Sequence, residues 1–290
     1  MAMLTKEQFH KKISQGVCFL DGATGSNLIN AGMPRGCCTE KWILNNPQAL
    51  TALQQEYAAA GSDIIYAPTF QAQPIALKKE GLEDKCQQIN TQLVQLTRSA
   101  CPGKLVAGNL ATLAAFIDSA DSGNFDLLVE NYRVQIRGLI QGGVDLFAAE
   151  TLLYPQEAEA IFTAVEMESP EAAVMFCFTM QPDGSLFSGM DAGKVLRELE
   201  EAGAAAVGFN CVGADMMTPY LVSKLRRSVK GPLICKPNAG NPVIGDDNLP
   251  HYSMTPEEFS RIIAQCSQMG ATLLGGCCGT TPAYIAALKD

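Results

Sequence analysis

VDLFAAETLLYPQEAEAIFTAVEMESPEAAVMFCFT, residues 144–179, holds two apolar runs with a helical pattern between them. The runs VDLFAAET (144–151) and AAVMFCFT (172–179) are almost continuously apolar. Strands buried on both faces read this way, whereas a sheet with one wet face alternates. Residues 155–168 between them carry a helical pattern. Strand, helix, strand in this order predicts a parallel pair joined by a crossover helix.

Outward from this stretch the same unit recurs. Further runs are VCFLD (17–21), DIIYAPT (63–69), KLVAGNL (104–110), AAAVGFN (204–210), PLICKPN (232–238) and ATLLGGCC (271–278). Helical patterns fall at 47–60, 126–142, 193–202, 216–229 and 255–269. The first follows Asn45-Asn46, opens at Pro47 and stops at Gly61. Thr255-Pro256-Glu257-Glu258 is a helix start and Gly270 its stop. Gly61-Ser-Asp-Ile, Gly143-Val-Asp-Leu and Gly270-Ala-Thr-Leu repeat one device, a glycine helix end feeding a strand. Eight such strands in 290 residues predict a single-domain α/β fold, the closed (β/α)8 TIM barrel. The rival is an open doubly wound sheet. DGATGS (21–26), after the first strand, lacks the G-x-G-x-x-G spacing, so a dinucleotide is not expected.

A formal net charge of −9 without a basic run argues against nucleic acid as a partner. No apolar stretch approaches the roughly 18 residues of a membrane span. MAMLTKEQFHKKISQG (1–16) lacks a secretory apolar core, so the expected location is the cytoplasm. Eleven cysteines are an odd number, and several fall in buried-looking runs, which argues against a disulfide framework. Cys18, Cys86, Cys101, Cys177, Cys235 and Cys266 are expected as small core residues. Cys37-Cys38 follow Pro34-Arg35-Gly36 with no third thiol placed near them, and are read as incidental.

In a barrel the active site forms at the strand C-terminal ends. Those ends read Asp21-Gly22, Pro68-Thr69-Phe70, Gly108-Asn109, Glu150-Thr151, Asn210-Cys211, Pro237-Asn238 and Cys277-Cys278. Three thiols and two carboxylates would thus meet on one rim. Three thiolates with a free fourth position suit a catalytic zinc. His10 and His251 are the chain's two histidines, and neither is at a strand end. Successive strand residues point to opposite faces, so Cys277 and Cys278 can share a metal only across a sharp turn. Gly275, Gly276 and Gly279 permit one. From spacing alone, packing remains an open alternative for the cysteines, a helix cap for Asp21 and an ordinary salt bridge for Glu150. Asp63 and Asp145 open strands and belong to the opposite rim.

DGATGS (21–26), GSDIIYAPTF (61–70), Glu150-Thr151, GFNC (208–211), KPNAG (236–240) and GGCCGTTP (275–282), in that order, resemble the homocysteine-binding methyltransferase family. The resemblance runs from about residue 15 to the end of the chain. It implies one homocysteine-binding (β/α)8 domain over 1–290, with Zn2+ on Cys211, Cys277 and Cys278. It assigns Asp21 and Glu150 to the homocysteine amino group. It assigns the backbone N–H groups around Gly22, Ala23 and Thr24 to the carboxylate, and a glycine turn opening a helix is a sound anion site on physical grounds too. Asn109 and Asn238 are read as further strand-end contacts, with the pinning of loops as the open alternative for both. The implied reaction is methyl transfer to the homocysteine thiolate, giving methionine. Gly279, KKEGLEDK (78–85) and PNAGNPVI (237–244) look like the cobalamin-dependent methionine synthase branch, so the expected donor is a separate methyl-corrinoid (methylcobalamin) protein. The alternatives are S-methylmethionine, S-adenosylmethionine or betaine as donor, or a non-catalytic zinc- or thiol-binding barrel.

Overall fold

The structure is a computed structural model that describes residues 3–246 and 250–289. Eight parallel strands form its sheet. They are β1 (Cys18–Phe19), β2 (Ile64–Tyr66), β3 (Leu105–Ala111), β4 (Leu146–Leu152), β5 (Val174–Phe178), β6 (Ala206–Gly213), β7 (Leu233–Asn238) and β8 (Leu273–Leu274). They pair in the order β1-β8-β7-β6-β5-β4-β3-β2. A single parallel bridge from Leu20 to Ile64 brings β2 back beside β1 and rounds the sheet into the expected barrel. A two-stranded hairpin, Val243–Ile244 with Pro250–His251, stands apart after β7.

The helices are α1 (Lys6–Ile13), α2 (Gly25–Asn30), α3 (Thr39–Asn45), α4 (Pro47–Ala60), α5 (Pro74–Leu77), α6 (Cys86–Ala100), α7 (Phe125–Gly142), α8 (Pro155–Glu168), α9 (Ala192–Ala202), α10 (Thr218–Arg226), α11 (Pro256–Gln268) and α12 (Pro282–Ala287). Gly61, Gly143 and Gly203 end α4, α7 and α9 in the left-handed conformation, which glycine adopts without a Cβ penalty. Helix α11 starts in a full capping box, Thr255 with Glu258. Among the described residues no helix is long and apolar enough to cross a membrane.

Two layers of apolar side chains hold the barrel. Inside it, Leu20, Ile64, Ala107, Leu146, Met175, Ile234 and Leu273 pack with Phe9 of α1. The larger cluster fills the space between the sheet and helices α7 to α11. Helix α1 covers the N-terminal end of the barrel. Leu4 joins β-strand-like bonds to Asp145 and Ala173 (2.8 Å each), and His10 Nε2 lies 2.7 Å from the Ala205 carbonyl. The six cysteines expected in the core are all buried. Asp63 and Asp145 serve the sheet itself, accepting the Phe19 and Val106 N–H groups at 2.8 Å.

Candidate active site

Each sulfur of the triad is aimed by a departure from regular strand. In β6 the interior side chain is Asn210, so a straight strand would turn Cys211 outward. The register against β7 shifts between Asn210 and Gly213, and Cys211 takes φ 58°. This bulge turns its sulfur back toward the barrel axis. Cys277 and Cys278 lie past the two residues of β8, in a turn. Their backbone is pinned to β7. Cys277 N–H donates to the Pro237 carbonyl (2.7 Å), Cys278 N–H to Asn238 Oδ1 (3.0 Å), and Ala239 N–H to the Cys278 carbonyl (2.9 Å). Gly279 follows at φ 79°.

The three sulfurs lie within 4.8 Å of one another. Zn–S bonds of about 2.3 Å in a tetrahedron put sulfurs roughly 3.8 Å apart. The donor set therefore fits a soft, tetrahedral cation with a small inward movement. Among the described residues this is the one histidine, cysteine or carboxylate group so arranged. Hydrogen bonds from Cys211 and Cys277 draw the Cys278 thiol down to about 3, while Cys211 is held well above the usual thiol range. Cys37 and Cys38 stay apart from this group. Cys37 Sγ lies 2.9 Å from the Pro34 carbonyl, and Cys38 Sγ lies 3.6 Å from Glu40 Oε2.

Beside the sulfurs is a cavity of about 270 Å³ lined by Asp21, Gly22, Ala23, Thr24, Asn109, Glu150, Cys211, Cys277 and Cys278. It stands at the small end of ligand cavities. Nine of the ten candidate site residues thus meet there. Asn238 does not line it, because its side chain is spent on the Cys278 turn. Nothing larger than hydrogen fits at Gly22, where a Cβ would lie 2.6 Å from Tyr57 Oη and 2.7 Å from Thr280 Oγ1. The fold itself uses the Ala23 N–H, which donates to Thr280 Oγ1 at 3.2 Å.

The acidic end of the cavity holds Asp21 and Glu150, both buried. Asp21 Oδ2 accepts the Tyr66 N–H (2.8 Å), and Glu150 Oε1 accepts Asn109 Nδ2 (2.8 Å). Lys236 Nζ sits 3.4 Å from Glu150 Oε2, 3.8 Å from Asp21 Oδ1 and 4.8 Å above the Tyr66 ring. Burial pushes the Asp21 carboxyl up to about 7 against the pull of Lys236, and it raises Glu150 likewise. Burial disfavours the Lys236 charge, but Glu150 and Asp21 outweigh it and its pKa rises. Asp21 Oδ1 and Asn109 Oδ1 are buried and accept no hydrogen bond. Two unsatisfied acceptors beside an acidic pair suit a ligand that brings several N–H donors, an ammonium above all.

Reading strand ends missed Lys236 as a site residue, and placed Asn210 at a strand end without giving it a role. The signal was present in both cases. KPNAG puts Lys236 two residues before Asn238, hence on the same interior face of β7, and a lysine inside an apolar strand demands a charged partner. Glu40 was also missed. It is buried beside the cavity and accepts the Gln71 N–H at 2.8 Å, and no strand pattern pointed to it.

Comparison with known proteins adds three findings. A family model described as homocysteine S-methyltransferase matches residues 18–290. The metallated form of the homocysteine methyltransferase MmuM from Escherichia coli superposes with a TM-score of 0.81 at 26% identity, covering 97% of this chain and 99% of that one. The carboxyl transferase domain of Rhizobium etli pyruvate carboxylase shares the fold at 14% identity, with a TM-score of 0.58 over 98% of this chain and 49% of that one.

Proposed function

Because the chain belongs to the homocysteine S-methyltransferase family, and is therefore an enzyme that methylates homocysteine, we propose that it does so at a zinc held by Cys211, Cys277 and Cys278. We read residues 1–290 as one homocysteine-binding domain and a separate methyl-corrinoid protein as the donor. The observation that carries the zinc is the convergence of three sulfurs within 4.8 Å beside the acidic cavity. A metallated form of the similar E. coli enzyme is in keeping with it.

Zinc bound there would keep a coordinating thiol deprotonated at neutral pH, where a free thiol is only a few per cent thiolate. The chain's own groups do the rest. Asp21 Oδ1, Asn109 Oδ1 and Glu150 take the homocysteine ammonium, and the turn at Gly22, Ala23 and Thr24 takes its carboxylate. Anchoring both ends of the amino acid points its sulfur at the triad, which makes the attack effectively intramolecular. The sulfur lone pair forms the new S–CH3 bond. The old bond between methyl and donor breaks, and its electron pair leaves with the donor. No side chain need take a proton in that step.

One observation favours a donor carried on a protein. The loops after β5, β6 and β7 expose Phe187, Met190, Met216, Met217, Val243 and Ile244 on the rim that carries the sulfurs. Such a set exceeds what a small donor needs and suits a macromolecular surface.

Elemental analysis of protein purified under reducing conditions tests the metal. About one zinc per chain is expected in the parent, with a large loss in Cys277→Ser. Equal zinc in both defeats the assignment. The donor is tested by loss of methylcobalamin absorbance on adding homocysteine to zinc-loaded protein. Turnover with S-methylmethionine and none with any methyl-corrinoid defeats the donor reading while leaving the zinc reading intact.

A further inference from the structure

Asn210 is fully buried and touches both halves of the site. Its Oδ1 accepts the Thr151 N–H at 2.7 Å. Its Nδ2 donates to Thr151 Oγ1 at 2.8 Å, and reaches Glu150 Oε2 at 3.4 Å and Cys277 Sγ at 3.7 Å. Through its own peptide bond it also precedes Cys211. One amide thus contacts the acidic pocket and one sulfur, and is joined covalently to a second.

The backbone around it is strained in matching places. Thr151 and Cys211 are the non-glycine residues at positive φ among the described residues, both at 58°. A β-branched threonine there is an outlier, and such positions persist only where their surroundings hold them. Register shifts mark the same places in β4 and β6. The Asn210 amide fastens one strained strand end to the other, with Glu150 on one side and Cys211 on the other.

We propose that Asn210 is a positioning residue that fixes the distance between the amine pocket and the sulfur triad, so that the site measures the length of its thiol substrate. On this proposal the set separation favours homocysteine over cysteine, which is one methylene shorter. The inference rests on the homocysteine reaction proposed above. Asn210 acts by holding Glu150 and Cys277 at a set separation, and it does so with an N–H donor edge that a carboxylate cannot reproduce.

Steady-state kinetics with homocysteine and with cysteine, using methylcobalamin as donor, test this in the zinc-loaded parent, Asn210→Asp and Asn210→Ala. A zinc titration against a chromophoric chelator runs alongside. Asn210→Asp keeps an acceptor for the Thr151 N–H but sets a carboxylate against Glu150 and Cys277. It is expected to raise the homocysteine KM about tenfold, lower the homocysteine-to-cysteine ratio of kcat/KM about tenfold, and weaken zinc binding. Asn210→Ala is expected to lower the same ratio, and if it does not fold, Asn210→Asp carries the test alone. An unchanged KM and ratio in Asn210→Asp overturn the proposal, because the residue then serves only the Thr151 turn. A raised KM with an unchanged ratio overturns the length gauge. A parent that turns over no homocysteine with any donor sinks the proposed reaction and this inference with it, whereas an active parent with an unaltered Asn210→Asp sinks this inference alone.

Discussion

Asp21 and Glu150 face one buried lysine, and that imbalance governs how the pocket responds to pH. Asp21, raised by burial to about 7, is neutral below that pH and charged above it. An ammonium ligand needs it charged. Affinity for methionine, which has the amino acid head without the thiol, should therefore fall as pH drops through about 7, approaching tenfold per unit below it. Calorimetric titration between about pH 6 and 8 measures this; a flat profile would remove Asp21 from the amine contact. Lys236→Met takes away the cation that holds both carboxylates down. The midpoint of that profile should move up, and stability should fall by about 3–5 kcal/mol, the cost of breaking a buried ion pair from one side, read by urea unfolding. At this scale the sequence was legible where a residue stood at a strand end. Asp21, Asn109, Glu150 and the three cysteines were found that way and line one cavity. Lys236 was passed over because it sits inside a run that otherwise reads as apolar strand, and Asn210, though read at a strand end, was given no role beside Cys211.

Elements were legible in proportion to their punctuation. Helices α4 and α8 fill 47–60 and 155–168 as expected, each opened by a proline at its first position. Helix α6 was not foreseen. Its buried residues Cys86, Ile89, Asn90, Leu93, Val94 and Thr97 recur at helical spacing, but no proline opens it and no side chain caps its start, so the punctuation that marks α4 and α8 is missing. The runs 17–21 and 271–278 read as full strands, but β1 and β8 keep only two residues each. Gly275, Gly276 and Gly279 divert the chain there, and the diverted backbone is what carries Cys277 and Cys278. Close approach matters elsewhere too. A Cβ at Gly208 would lie 2.1 Å from the Ile234 carbonyl oxygen across β6 and β7. Gly208→Ala is expected to cost about 3 kcal/mol or more, seen as a lowered melting midpoint and, three residues on, a weaker grip of Cys211 on zinc.

For the whole molecule, the parallel barrel followed from near-continuous apolar runs alternating with helices, while the exposure of its rim did not, because an apolar loop residue looks the same in sequence whether covered or bare. Met216 and Ile244 are 77% and 63% exposed. If a protein delivers the methyl group, Met216→Glu with Ile244→Glu should slow transfer from that protein at least about tenfold, the range seen for central contact residues, while leaving transfer from free methylcobalamin near the parent rate. Equal loss with both donors would remove the rim from donor docking. The far end of the barrel bears on traffic. Phe9 of α1 is fully buried against the interior, and Leu4 stitches the same helix's lead-in to two strands. The vessel therefore has a floor, and traffic is left to the rim that carries the sulfurs. If a protein donor docks on that rim, the thiol must be inside before the donor covers it, and methionine must wait until the spent donor has left. Kinetically that would be a queue: an ordered sequence in which homocysteine enters first and methionine leaves last, with methionine competing against homocysteine and excess donor trapping the product inside.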